Sequence, residues 1–450
     1  MDSPTKIEKW VPIISMILFA VGSTAYAAWS VVEVDVSTAF QNRTGLENKR
    51  LSLIDDNGQP AISYAFSQDG IRYTRHDGSD WNTDTIESEE FTRYDSSSMT
   101  IIDGRVAFAF SRTDFFNTVQ YASQTENGWQ TDIIEPEFDD IDIPRIALAT
   151  VDNNPAVAYN KNEFLQYAVR TQTGWEAQTV AEDVQETSGN VDYLGVSFLG
   201  VWDISLVEYN SRPTILYSSS PDGMKLATLV DGEWQFEVIQ PVSEKAYNPT
   251  LAIIDGQPAI TYHDDFVYYA LYDETTMQWQ HTPVAEIVQD GTQRNRLMAL
   301  SRLTTFNDQP AFAFSVREDD TYHIRVAFFN GSEWFITTAV SSELAIFDVA
   351  LADINGVPMI AYYQYTQLVE DGQSENSTVA VKFATAAIPE DLNTDGNITP
   401  VDAVEVLNRL GQTSGETVEL YDVDGDGDID TDDAQAVIDL IGTTIYPTTP

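Results

Sequence analysis

Residues 381–388, VKFATAAI, close a repeated pattern one strand too early. At the opposite end of the chain, residues 28–36, AWSVVEVDV, have the form of the strand that is missing. If the first segment pairs with the last, everything between them forms a closed ring. If it does not, the chain is an open stack with two bare ends.

The pattern has four lines. The second is the plainest, and it occurs seven times: QPAISYAF from Gln59, GRVAFAFS from Gly104, NPAVAYNK from Asn154, RPTILYSS from Arg212, QPAITYHD from Gln257, QPAFAFSV from Gln309 and VPMIAYYQ from Val357. Turn chemistry stands before each, as in Asp56-Asn57-Gly58, Asp255-Gly256 and Asn355-Gly356, and before that an apolar strand. Proline opens six of the seven lines, which suits the first residue of a strand. A third line follows: IRYTR, VQYAS, LQYAV, KLATL, VYYAL, IRVAF, VKFAT. In six units a polar turn then leads to a tryptophan strand, at Trp81, Trp129, Trp175, Trp234, Trp279 and Trp334. Trp29, in AWSVVEVDV, supplies the seventh, leaving Trp202 as the one tryptophan after Trp10 outside this position.

Strand alternation divides each middle line into two faces. One is small (Ala61 and Ser63, Ala107 and Ala109, Ala156 and Ala158, Ala311 and Ala313), the other bulky (Ile62 and Tyr64, Phe108 and Phe110, Val157 and Tyr159, Phe312 and Phe314). Such a sheet packs on copies of itself, bulky against shallow. A straight solenoid would expose both terminal faces, whereas a ring of four-stranded units buries all of them. The expected fold is therefore all-β: a seven-bladed β-propeller over residues 28–388, with the Trp29 strand completing blade 7 and closing the ring. The repeated aromatics are read as core between blades.

Composition narrows the partners. The chain has 23 basic against 71 acidic residues, a formal net charge of −48. That field repels nucleic acid and anionic lipid. Lys6 and Lys9 precede the apolar run VPIISMILFAVG, and the small residues of Ala25-Tyr26-Ala27 follow. Residues 1–27 read as an export signal, too short for a comfortable membrane span, so the mature protein is expected outside the cell or on its surface with no membrane span. With no cysteine, it relies on packing and metal rather than on disulfides.

The metal is expected at the end of the chain. DLNTDGNITPVDAVEVLNRLG from Asp391 is echoed by DVDGDGDIDTDDAQAVIDLIG from Asp422. Oxygen-bearing side chains fall at Asp391, Asn393, Asp395, Asn397 and Asp402, and again at Asp422, Asp424, Asp426, Asp428 and Asp433. That is the 1, 3, 5, 7, 12 spacing of a calcium loop, with Gly396 and Gly427 at the sharp turn. Each loop opens a short amphipathic helix, so two Ca2+ ions are expected, with folding coupled to binding. An EF-hand normally ends its loop on glutamate; here both loops end on aspartate, and Pro389 replaces an entering helix. A duplicated loop-then-helix of this kind resembles the dockerin family over residues 391–442. The resemblance implies a small α-helical domain, residues 389–442, that tethers a secreted protein to a cohesin domain on a scaffold or cell surface. Family members often carry polysaccharide-degrading enzymes or glycan-binding proteins. The pairs before the closing aspartates, Pro400-Val401 and Thr431-Asp432, depart from the Ser-Thr common in that family, and Leu407-Asn408 and Ile438-Asp439 replace its basic pair. The calcium chemistry carries over; the partner's identity does not. Residues 443–450 are read as a tail.

The propeller is harder to read, because fold alone does not give function. The turns HDGSDW, ENGW, VDGEW and FNGSEW resemble the Asp-box turns of sialidase-like propellers. Arg50, Arg145 and Arg296 stand just before the first strands of blades 1, 3 and 6, where they either converge on an anion in the channel or pair locally with the abundant acids. His263 and Asp264 mark a polar loop of blade 5. No nucleophile with an oriented base stands out. The expected role is a non-catalytic module binding glycan or protein, linked to polysaccharide metabolism. A glycoside hydrolase with its site at the channel mouth and a structural surface protein are the alternatives.

Overall fold

The computed structural model describes residues 29–40, 51–66, 70–88, 92–113, 116–138, 144–162, 164–182, 204–219, 223–239, 246–287, 296–306, 308–318, 320–366 and 377–386. Residues 1–27, read above as an export signal, Trp202, the dockerin-like segment and residues 443–450 lie outside them.

Seven antiparallel sheets are present. Blade 1 runs from Ser52–Asp55 to Trp81–Glu87, blade 2 from Arg93–Ile102 to Gly128–Phe138, and blade 3 from Ile146–Val151 to Gly174–Ala181. Blade 4 runs from Ile204–Tyr209 to Glu233–Ile239, blade 5 from Tyr247–Ile254 to Gln278–Glu286, and blade 6 from Arg296–Leu300 to Trp334–Ser342. Blade 7 takes three strands from the C-terminal side, Ile346–Ile354, Val357–Tyr365 and Ser377–Ala386, and its outer strand, Trp29–Phe40, from the N-terminal side. Between blades 5 and 6 Leu303 reaches Thr250, and inner strands of successive blades touch at the other junctions. In blade 6 the inner line is broken into Arg296–Leu300 and Thr304–Phe306, with Ser301, Arg302 and Leu303 between them.

Local chemistry sets each meander. At the first hairpin of blade 7, Asn355 (φ 54°) and Gly356 (φ 76°) take the left-handed turn that asparagine and glycine tolerate and that matches the strand twist. Two of the Asp-box-like turns cap themselves. Asp77 accepts backbone N–H from Ser79 and Asp80 at 2.9 Å, and Asn330 does the same for Ser332 and Glu333. Those hydrogen bonds hold the Asp77 carboxyl well below the ordinary carboxylate range.

The core lies between blades. Each of the seven interfaces has its own buried cluster. Between blades 7 and 1, Ile62, Tyr64 and Phe66 pack on Ala361, Tyr363, Val381 and Phe383. Between blades 1 and 2, the shallow Ala61 and Ala65 receive Phe108 and Phe110. Tyr64, Phe66, Phe108, Phe110 and Phe312 are fully buried. Each such side chain stabilises the fold by roughly 1.5–3 kcal/mol relative to an exposed one.

The closing strand is held in four ways. Its backbone pairs with Ser377–Ala386 from Trp29↔Ala386 to Phe40↔Ser377. Trp29 packs into the cluster between blades 6 and 7, and Val34 into that between 7 and 1. Glu33 pairs with Lys382 at 2.8 Å. Asp35 reaches blade 1, accepting the Tyr64 hydroxyl at 2.6 Å and Arg72 Nη1 at 2.5 Å. Burial first, then the Asp35 charge, raises the Tyr64 pKa well above the ordinary phenol value, so Tyr64 stays a donor. At the rim the Asn355 amide donates to Gly58 O at 2.9 Å, tying the last blade to the first.

Candidate functional site

Arg145 immediately precedes the inner strand of blade 3, and its backbone N–H donates to Asn160 Oδ1 at 2.5 Å. Arg296 opens the inner strand of blade 6, where its main chain pairs with Arg317; its side chain, like the whole of Arg50, lies outside the described residues. His263 ends the second strand of blade 5. Its Nε2 lies 3.1 Å from the Asn248 amide and its ring centroid 5.5 Å from that of Tyr247. Burial brings its pKa down to about 4, so the ring is neutral at neutral pH. Asp264 serves its own loop, accepting Phe266 N–H at 2.8 Å. Arg145 and the His263-Asp264 pair therefore sit two blades apart.

A different arginine reaches across the channel. From the break in the inner strand of blade 6, Arg302 Nη2 donates to Ser98 Oγ of blade 2 at 2.8 Å. Ser98 Oγ also accepts Leu148 N–H of blade 3 at 3.0 Å. Two more contacts of this kind join inner strands: Leu51 N–H to Asp348 Oδ2 at 2.7 Å and Leu303 N–H to Thr250 Oγ1 at 3.1 Å. These bonds use the inner edges of the sheets to lock blades to one another.

Towards the outside of the ring, an aromatic clasp repeats. An aromatic residue on the third strand of one blade meets the tryptophan of the next, edge-on in four cases and tilted in Tyr269–Trp334. The ring centroids are 5.1 Å apart in Tyr73–Trp129, 5.2 Å in Tyr121–Trp175, 5.5 Å in Tyr167–Trp234, 5.2 Å in Tyr269–Trp334 and 5.0 Å in Phe383–Trp81. Such pairs add about 0.5–1.5 kcal/mol beyond the area they bury. Two interfaces lack the aromatic, having Val326 and Leu226 instead. Between blades 6 and 7, Phe306 and Phe328 pack beside Trp29 and fill the space. Between blades 4 and 5 the residue equivalent to Phe328 is Thr228, and the space stays open.

The result is a cleft of about 130 Å³ lined by Tyr209, Asn210, Arg212, Leu226, Thr228, Glu237, Pro258, Tyr272 and Trp279. Its walls differ. Blade 5 contributes Pro258 and the rings of Tyr272 and Trp279, whose centroids are 5.4 Å apart. Blade 4 contributes Thr228, Arg212 and Glu237. Trp279 Nε1 donates to Glu237 Oε1 at 3.0 Å, and Tyr209 donates to Glu274 Oε1 at 2.7 Å. Burial, and then the acids beside them, raises both tyrosine pKa values, so Tyr209 and Tyr272 remain neutral donors. Arg212 is exposed at the lip. An apolar aromatic wall facing a polar wall suits a ligand with two unlike faces.

Residues 389–442 match the model of the dockerin type I domain. The C-terminal segment is a type I dockerin domain. Dockerin domains bind calcium and imply a cohesin partner. The residues expected to ligate the metal, Asp391 to Asp402 and Asp422 to Asp433, lie outside the described residues; their donors are all oxygen, the set that a hard cation such as calcium takes. The dockerin begins three positions beyond Ala386, the last residue of the third strand of blade 7. Among the described residues no helix is long and apolar enough to cross a membrane.

No curated protein matches the chain. Solved structures do resemble it. AofleA from Arthrobotrys oligospora shares 10% identity with a TM-score of 0.44, over 69% of this chain and 89% of that one. The Aleuria aurantia lectin, a six-bladed β-propeller, shares 12% with a TM-score of 0.44, over 65% and 95%. Trypanosoma rangeli sialidase shares 8% with a TM-score of 0.43, over 86% of this chain and 63% of the sialidase. At these values the likeness extends to neither a site nor an activity.

Neither Arg302 nor the cleft was anticipated from sequence. A signal for the cleft was present: KLATL is the one third line whose aromatic gives way to leucine with no phenylalanine two residues later.

Proposed function

We propose that the chain is an exported, calcium-dependent tethering protein, in which the dockerin delivers a non-catalytic glycan-binding propeller to a cohesin-type partner on a scaffold or cell surface. The observation that carries the glycan part is the cleft between blades 4 and 5. The Trp279 ring with the inclined Tyr272 beside it on one side, and Arg212, Glu237 and Thr228 on the other, match the amphipathic character of a sugar ring, with C–H bonds on one face and hydroxyls round the edge. The acids near it accept hydrogen bonds from Trp279 and Tyr209, which favours holding a ligand over moving a proton. Two loops of oxygen donors support two calcium ions in the dockerin. The signal-like residues 1–27 support export.

The test uses the mature full-length protein. It is expected to retain insoluble plant and microbial polysaccharides in pull-down while releasing no reducing sugar, and to bind one or more members of a cohesin panel only when calcium is present. Sugar release would make it a hydrolase. Retention of no polysaccharide and binding of no glycan on an array would remove the glycan reading and leave a structural role.

A further inference from the structure

We infer that the cleft between blades 4 and 5 is a single-ring sugar site selective for a neutral pyranose with two adjacent free hydroxyls, and that it discriminates against the corresponding uronic acid. This rests on the glycan-binding reading above and deepens it.

The chemistry is set by which groups of the polar wall are already engaged. Glu237 uses Oε1 to accept the Trp279 indole N–H, and that bond fixes the ring as a stacking surface. Its second carboxylate oxygen remains able to accept. Arg212 stands exposed at the lip with a guanidinium that only donates. Thr228 is joined to Thr214 at 3.2 Å. A single hydroxyl can donate to a carboxylate and accept from a guanidinium, and two adjacent hydroxyls can bridge a donor and an acceptor held on one wall. The ring's apolar face then lies on Trp279, with Tyr272 inclined at 58° to it closing one side.

Charge decides between neutral and acidic sugars. Among the described residues Arg212 is the one cation lining the cleft, against Glu237 in its wall and Glu274 held on Tyr209 at its edge. The chain as a whole carries −48. A carboxylate on the ligand would gain one guanidinium and meet two acids in a strongly negative field.

The site also occurs once among the described interfaces. Five have an aromatic clasp in this position, and the sixth, between blades 6 and 7, is filled by Phe306 and Phe328. Rebuilding the clasp should therefore close the cleft without disturbing the fold. Leu226→Tyr introduces the residue that stands at the equivalent position as Tyr73, Tyr121, Tyr167 and Tyr269. Thr228→Phe copies Phe328.

The experiment is saturation-transfer NMR and calorimetry on the mature full-length protein. The probes are methyl glycosides of glucose, galactose, mannose and fucose, with methyl glucuronide and methyl galacturonide as the acidic pair. At least one neutral glycoside should bind, and its uronic acid partner at least tenfold more weakly. Leu226→Tyr and Thr228→Phe should each reduce binding tenfold or more while melting as the wild type does, and Arg212→Ala should weaken it similarly. Neutral binding that survives both filling variants would overturn the site while leaving the glycan reading intact. Uronides binding as tightly as neutral glycosides would overturn the selectivity. Binding of none of the probes, with polysaccharide retention intact, would overturn the single-ring site, and loss of both would remove the underlying reading as well.

Discussion

Asp35→Ala tests the closure of the ring at one atom. In the native fold the Asp35 carboxylate, on the N-terminal strand, accepts from the Tyr64 hydroxyl and from Arg72, both in blade 1. Tyr64 is fully buried, so removing Asp35 takes away its charged acceptor and leaves the hydroxyl beside the Thr83 side chain. A buried hydroxyl that loses its acceptor costs about 1–3 kcal/mol, and the loss of a partly exposed charge-assisted bond adds about 1 kcal/mol. The expected loss is about 2–4 kcal/mol. With an unfolding entropy of about 2 cal/mol/K per residue, a propeller of this size should melt about 3–5 °C lower. Tyr64→Phe should cost less, because it deletes the hydroxyl rather than taking away its charged acceptor. In the Asp35→Ala background it should return about 1 kcal/mol or more. Thermal melts and urea titrations of the four proteins in the cycle measure this directly. Equal melting temperatures for wild type and Asp35→Ala, or strictly additive losses, would refute the claim that this strand is locked to blade 1 through Tyr64.

His263 supplies a pH dependence. Its pKa falls from 6.5 in the unfolded chain to about 4 in the fold, so the unfolded state takes up the proton first as pH drops. Stability should be full above pH 6.5, decline between pH 6.5 and 4 by at most about 3 kcal/mol, and level off below; His263→Gln should remove that component, seen as the difference between two pH–stability curves. Ser98→Ala removes the shared acceptor of Arg302 and of the buried Leu148 N–H, and should cost about 2–3 kcal/mol in a denaturant titration, against under about 0.5 kcal/mol for a surface serine. Chelating calcium in the full chain should abolish capture by a cohesin domain and lower helical circular dichroism while leaving the main propeller melt in place; a propeller melt that falls with the dockerin would show that the two domains are coupled.

Sequence periodicity was enough for the architecture because a propeller is written one blade at a time. Alternation gave the small and bulky faces, the asparagine-glycine and aspartate-glycine pairs marked the hairpins, and the surplus Trp29 strand matched the incomplete seventh unit; each of these is local or repeated, so a single chain displays it. The dockerin was legible for the same reason, since calcium ligands lie at fixed steps along one short loop. What the linear order hides is which residue of one blade meets which residue of the next. Trp129 finds Tyr73, Asp35 finds Tyr64 and Arg302 crosses to Ser98 over 204 positions of chain. The cleft is the sharpest instance. In their own strands Trp279 is one of seven like tryptophans, Leu226 and Thr228 mark a departure from the repeat, and Arg212 is ordinary; none of them shows a site. They become a site only because two neighbouring blades leave between them a space that an aromatic side chain fills elsewhere, and an unfilled volume is a property of packed surfaces, not of any segment.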